Sequence, residues 1–442
     1  MKKNTTYYCI LAILVTTINY LPAQDQSWSL KQCIDYATEN NLNVQAAKLD
    51  KKTTLLNYQQ SKFNKWPSAS ANVSNNFANG SSIDPITSDF INSSIYSNSI
   101  NINSSVTLYS GNRANLQIEK YEILLKQNNL NIEESKNNIK LSILEAYIQA
   151  LYYKESIEIA QNTLESSQKQ LQQAQTQFDN GALARKDLAD LEAQEASNKH
   201  NIVIASSTYQ QQLLRLKQLL ELDPSATFDI ETPALDAHLT YLIPDKYAIY
   251  TQAVNHLPDV RKFDIYKAGT VKDLEIAKAA YYPTVSLSYG LGTGYTSTRE
   301  YSFAKQLNLN LNSFVGLSVS VPIFSKFSNK TNESLIKVEL EQTDLEKQQA
   351  SKTLYQSIET AWLNAVTNQS EQNSSEALRN AAKLSYDLAT KKFEFGGSTT
   401  TDLLVTETNY INAEQEYLQV KYTGLLYEQL LNYYQGKELG FE

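Results

Sequence analysis

Apolar and polar residues alternate with period two in several stretches of the chain. Ile100, Ile102, Val106 and Leu108 fall on one side of such a pattern, with Asn101, Asn103, Ser105 and Thr107 on the other. Val285, Leu287, Tyr289 and Leu291 alternate in the same way with Thr284, Ser286, Ser288 and Gly290. Val315, Leu317, Val319, Val321 and Ile323 then alternate with Gly316, Ser318 and Ser320. Successive strand residues point to opposite faces, so each stretch predicts a strand with one apolar and one hydrophilic face. A less regular strand, Ser68 to Phe77, completes two predicted hairpins at 68–110 and 284–325.

Elsewhere the pattern is helical. Residues 112–180 and 326–395 contain neither Gly nor Pro. A helix of ~65 residues would be about 100 Å long at 1.5 Å per residue. Ile157, Ala160, Leu164, Ser167, Leu171, Ala174 and Phe178 recur in alternating steps of three and four, as in a coiled coil. Gly181 and Gly396 mark the helix ends. Returning helices are predicted from about Asp187 to Leu222 and from Asp402 to Tyr434. Asp187 and Asp402 lie where exposed N–H groups and the helix dipole favour a carboxylate. Shorter helices, Leu30 to Lys65 and Lys246 to Ala280, lead into the hairpins. Each stops ahead of a proline (Pro67, Pro283), which bars its preceding residue, Trp66 or Tyr282, from the helical region.

These elements are written twice. Trp66-Pro67 returns as Tyr282-Pro283, 216 residues later; VTLYS (106–110) returns as VPIFS (321–325), 215 later. AYIQA (146–150) returns as AWLNA (361–365), and the run Phe178-x-x-Gly181, Asp187-Leu188, Glu192 as Phe393-x-x-Gly396, Asp402-Leu403, Glu407, both at 215. Shared coiled-coil composition explains matching Ala and Leu but not matching Pro and Gly, so the chain is an internal duplication. The expected layout is a first repeat at 24–222, a proline-bearing linker at 223–245, a second repeat at 246–436 and a tail at 437–442.

Composition narrows the setting. Lys2 and Lys3, the apolar run Ile10 to Val15 and Leu21-Pro22-Ala23 read as a removable signal peptide at 1–23, too short for a membrane span. Cys9 leaves with it and Cys33 remains alone, so no internal disulfide is expected. Loss of Lys2 and Lys3 leaves 37 of the 39 basic residues against 47 acidic ones, a charge of −10. That sign argues against a nucleic-acid partner. His200, His238 and His256 are scattered, with no metal-ligand spacing, and no nucleophile–base grouping or phosphate loop is visible. Gly290, Gly292 and Gly294 lie in an alternating stretch with no helix after it, and read as a strand-to-loop transition. No enzyme and no cofactor is expected.

Alternating strands beside helices too long for a compact core suit the wall of a transmembrane β-barrel. Aromatics at the joints (Trp66, Tyr109, Tyr281, Tyr282, Phe324) suit an interfacial girdle. Four strands close no barrel, and open edges do not sit in lipid, so a spanning form requires several copies. Two, three or four copies give eight, twelve or sixteen strands.

The order helix, hairpin, long helix and returning helix, twice over, with Phe-x-x-Gly-x5-Asp-Leu at each turn, resembles the TolC-type outer-membrane efflux proteins. The resemblance covers essentially the whole chain after the signal. It implies a fold of mixed α and transmembrane β, in which long coiled-coil helices form an α-barrel. Four strands per chain would contribute to a 12-stranded barrel in the outer membrane. It further implies a homotrimer with a long periplasmic extension, in contact with outer-membrane lipid. The partners implied are a periplasmic adaptor and the inner-membrane pump of a tripartite efflux or type I secretion system.

The tips at 178–188 and 393–403 resemble the family's adaptor-docking turns, which points to Phe178, Gly181, Leu188, Phe393, Gly396 and Leu403. In the family the second tip also narrows the periplasmic mouth, where an Arg two residues after the Gly and acids six and nine after it form ionic links. Here Asp402 matches the first acid, while Ser398 and Val405 stand at the other two positions. Arg185 and Lys186, in the first tip, are the candidates to reach Asp402 or Asp187 instead. A periplasmic adaptor or a structural stalk shares the signal and the heptads, but neither has two hairpins inside the chain.

Overall fold

The computed structural model describes residues 27–83, 86–233 and 242–441. The expected signal peptide and the middle of the 223–245 linker lie outside them. The elements are α1 (Leu30–Asn40), α2 (Leu42–Phe63), β1 (Ser68–Ile83), β2 (Phe90–Ser110), α3 (Arg113–Asp179) and α4 (Arg185–Leu219). The second half supplies α5 (Lys246–His256), α6 (Pro258–Ala279), β3 (Thr284–Thr296), α7 (Phe303–Leu309), β4 (Asn312–Ser320), α8 (Ser328–Glu394) and α9 (Thr400–Tyr434). The long helices α3 and α8 both have 67 residues, and the returning helices α4 and α9 both have 35.

The structure departs from expectation in detail. Each leading helix is broken: at Asn41 (ψ 135°) in the first half and at Leu257 (ψ 142°) in the second. Leu257 precedes Pro258, which forces the extended conformation. Asn41 adopts it without a proline, its amide donating to the Leu219 carbonyl at 3.1 Å. β4 stops at Ser320, short of Val321 and Ile323, because Pro322 has no N–H to donate to a ladder. Gly290, Gly292 and Gly294 all lie inside β3.

Helix α7 was not foreseen. It covers the end of β3 beyond Gly292, the last residue paired to β4. The buried Gln306 accepts from the Thr296 N–H at 2.9 Å and donates to the Thr296 carbonyl at 3.0 Å, and Asn310 donates to the Gly294 carbonyl at 2.7 Å. Two side chains thus stand in for a missing strand, satisfying an edge otherwise left open. Seven residues are too few to show a period.

The chain divides into two compact units. One, residues 43–137 and 246–359, contains the sheet, an antiparallel meander in the order β1-β2-β3-β4. Its register sets Val73 beside Ile100 on one face, with Ile102 beside Leu291. Polar side chains pair on the other face, Ser74 with Ser99 at 2.7 Å. None of the four strands carries a charged residue or a histidine. The helices of this unit carry its ion pairs, among them Lys120–Asp273, Lys262–Glu134 and Lys267–Asp344 at 2.6–2.7 Å.

Strand β2 returns to helix α3 through Gly111 and Asn112, and β4 to α8 through Lys326 and Phe327; all four have positive φ (51° to 64°). The repeat therefore preserves a left-handed pair, although only one of the four residues is glycine. At the joints, Pro67 and Pro283 directly precede β1 and β3, and Trp66 and Tyr282 are exposed.

The other unit, residues 1–42, 138–245 and 360–442, is helical. Its core includes Cys33, Ala37, Ile143, Leu144, Tyr147, Leu151, Leu216 and Leu220. Two aromatic residues at the same repeat position anchor opposite ends of the linker. The Tyr147 hydroxyl lies 2.7 Å from the Glu231 carbonyl, and the Trp362 indole donates to the Pro244 carbonyl at 2.9 Å. Each is an apolar body with a polar tip, suited to holding irregular backbone against a core. Cys33 is fully buried, which pushes its thiol up to about 12. It is expected to resist a thiol reagent at pH 8 in the folded protein and to react stoichiometrically in denaturant. Rapid native labelling, followed by mass spectrometry, would contradict the packing of α1.

Candidate functional site: the helical tips

The two tips are built by one device. At the end of α3 the Gly181 N–H bonds the Phe178 carbonyl at 2.8 Å and the Ala182 N–H the Gln177 carbonyl at 2.8 Å. At the end of α8 the Gly396 N–H bonds the Phe393 carbonyl at 3.0 Å and the Gly397 N–H the Lys392 carbonyl at 2.7 Å. This pair of bonds requires a left-handed residue after the helix, and Gly181 (φ 73°) and Gly396 (φ 70°) supply it. The chain then turns back into α4 and α9. Thr399 caps α9 by accepting from the Asp402 N–H at 3.1 Å, and its hydroxyl donates to the Asp402 carboxylate at 2.7 Å. Ala184, at the matching place in the first tip, has no side-chain cap.

Four of the docking candidates come together. Leu188, Phe393 and Leu403 are buried in one cluster with Ala174, Leu191, Tyr386 and Ala389, and Phe178 packs against it. The apolar positions of the repeat motif are thus the core that joins the two hairpins. Two glutamines of α3 add to the seam, Gln173 donating to the Glu394 carbonyl at 3.2 Å and Gln177 to the Phe393 carbonyl at 3.4 Å. They bond carbonyls of the last turn of α8, Gln177 reaching Phe393 as a second donor beside the Gly396 N–H. In so glutamine-rich a chain, nothing in the sequence marked these two.

The charged candidates do not converge. Arg185 pairs with Glu192 at 3.2 Å and Lys186 with Asp190 at 2.7 Å, both within α4. Within the single chain neither is ion-paired with Asp402 or Asp187. The reason is local: acids one and two turns along the same helix are nearer than a second hairpin. The Asp190 carboxylate also raises the Lys186 ammonium above its usual range. Asp402 is exposed, and its carboxylate is held by Thr399 alone among the bonds of its turn. Phe395 protrudes at the second tip, 88 % exposed, where the first has Asn180.

Residues 33–221 and 249–432 match the family model of the outer membrane efflux proteins, one segment in each half of the duplication. The chain belongs to that family. The efflux protein has no sequence match among curated proteins. In structure it is similar to the Campylobacter jejuni CmeC outer membrane channel, with a TM-score of 0.77 and 17 % identity over 93 % of this chain and 87 % of that one. It is also similar to the outer membrane protein VceC from Vibrio cholerae (TM-score 0.75, 16 % identity, 93 % and 97 % covered). The open state of the Neisseria gonorrhoeae MtrE outer membrane channel gives a TM-score of 0.71 and 19 % identity, with 96 % and 94 % covered. At these identities the likeness establishes the fold: long helices with four antiparallel strands. Family membership makes this an efflux protein of the outer membrane, a transport component.

Proposed function

We propose that three copies of this efflux protein form one continuous exit duct, passive in itself. Their twelve strands close a barrel in the outer membrane, and their long helices enclose a tunnel across the periplasm. A periplasmic adaptor docks at the helical tips, and an inner-membrane pump supplies energy in a tripartite efflux or type I secretion system. The observation that carries this reading is the uncharged four-stranded sheet with one apolar face. It is open at β1 and β4, and an open edge is stable in lipid only when another copy covers it. Further support comes from apolar residues along α8, Leu335, Val338 and Leu345, which are half or more exposed in the single chain.

Asp402 in this reading rings the periplasmic mouth, and the uncharged strands leave ion selection to the helical part. In a planar bilayer under a salt gradient, the protein is expected to give discrete conductance steps with cation preference. Asp402→Ala is expected to reduce that preference, measured as a reversal potential nearer zero. An unchanged reversal potential would move the selective ring away from Asp402. A protein that gives no steps and stays soluble without detergent would overturn the channel itself.

A further inference from the structure

Glu407 occupies the same repeat position as Glu192, but the two live in opposite surroundings. Glu192 is exposed and paired with Arg185. Glu407, one turn beyond Leu403 on α9, is 1 % exposed. One of its carboxylate oxygens accepts from the Asn198 amide of α4 at 3.2 Å, and the other has no partner. Beside it the Tyr386 hydroxyl of α8 bonds Ser166 at 2.8 Å and Gln170 at 2.7 Å, both on α3. Every one of these bonds crosses from a first-repeat helix to a second-repeat helix. A buried polar layer thus lies across the seam between the hairpins, next to the apolar tip cluster.

A carboxyl group in that layer has one neutral donor for one oxygen and nothing for the other. Ionised, it would carry charge into a packed seam, and burying an unpaired charge is among the costliest arrangements in a protein. The groups that face it offer no offset: Asn198 from α4 is neutral, and Tyr386 from α8 is a phenol pushed up by burial and further by the Glu407 charge. On α3 the side chains joined to this layer, Ser166 and Gln170, are neutral too.

We propose that Glu407 is a proton-operated latch on the second-repeat hairpin, holding it against the first when protonated and loosening it when ionised. In its consequence the idea rests on the channel reading, since loosening that hairpin would widen a mouth lined by Asp402. The direction follows from burial, which raises the carboxyl above its ordinary range. A group so raised contributes stability that is complete at low pH and is lost as pH rises through its folded-state value. The seam is therefore tightest in acid and loosens as pH rises.

The test is amide hydrogen exchange of the peptide covering residues 400–410, in detergent-solubilised full-length protein. Protection, after correction for intrinsic exchange, is expected to fall by on the order of ten-fold for each unit that pH rises from the ordinary carboxyl range toward the folded-state value, and to level off above it. Glu407→Gln, which keeps the shape and the Asn198 contact but cannot ionise, is expected to hold protection flat. Asn198→Ala removes the one donor that favours the charged form, and is expected to extend the fall to higher pH. A fall that persists unchanged in Glu407→Gln overturns the latch. Should that variant fail to fold, an unshifted profile in Asn198→Ala overturns it as well. Exchange is read whether or not the protein conducts, so pH-dependent protection in a protein that gives no steps and stays soluble without detergent would sink the channel reading and support the latch.

Discussion

Gly111→Val is expected to prevent the sheet and the long helix α3 from joining, with little folded protein recovered. Gly111 has φ 63°, and a Cβ there would lie 2.8 Å from the Ala279 carbonyl and 2.9 Å from the Tyr282 Cβ. The left-handed conformation costs an L-residue about 1–2 kcal/mol, and a β-branched one more. The contact adds to this, because the carbonyl and Tyr282 belong to the joint between α6 and β3 and cannot turn aside as a side-chain end can. A total of at least about 3 kcal/mol is reasonable for strain of both kinds. The check is thermal unfolding of the detergent-extracted protein, with Lys326→Gly as the converse change. Lys326 holds the same repeat position with φ 51°, so glycine there is expected to stabilise by about 1 kcal/mol. Wild-type stability in the valine variant would mean that this joint is not built as described.

The second large effect is at the tips. Leu403 is fully buried in the cluster that unites the hairpins, so Leu403→Ala removes packing and leaves a cavity. Such a change costs about 2–5 kcal/mol. Val405, two residues on, is 54 % exposed, and Val405→Ala should stay within about 0.5 kcal/mol. Exchange or limited proteolysis of the tips would measure the contrast. Both are part of the resemblance at the second tip, one matching the motif and one departing from it, yet their burial assigns them different work. Leu403 holds the tip together, whereas Phe395 and the exposed turn are what a partner would meet. Comparable losses for both variants would show that the tip cluster is not the seam.

Much of this architecture was legible in the chain. Period-two alternation marked β2 and β3 because each presents one face to an apolar and one to a polar environment. The long helices announced themselves by the absence of Gly and Pro, and their ends by Gly181 and Gly396. Local chemistry limited the rest. Asn41 breaks its helix without a proline, and the bond that rewards the break lies with Leu219, far along the chain. Helix α7 exists because β3 outruns β4, a mismatch seen only once the register is known. At the tips the motif located Leu188 and Leu403 but not their partners, and Arg185 and Lys186 bind acids on their own helix. Glu192 and Glu407 are the clearest case: one motif position, two environments, decided by which hairpin face the other repeat covers.

The open edges of β1 and β4 also bear on how the duct comes to exist. A solitary copy has no stable place in the hydrocarbon, since its edge N–H and carbonyl groups would meet neither water nor a neighbouring strand. Entry into the bilayer and association with other copies are therefore a single event in the proposed trimer. The yield of such an event depends steeply on how many chains arrive together. A cell making few copies would then hold disproportionately few ducts, and modest changes in synthesis would act as a switch on export capacity.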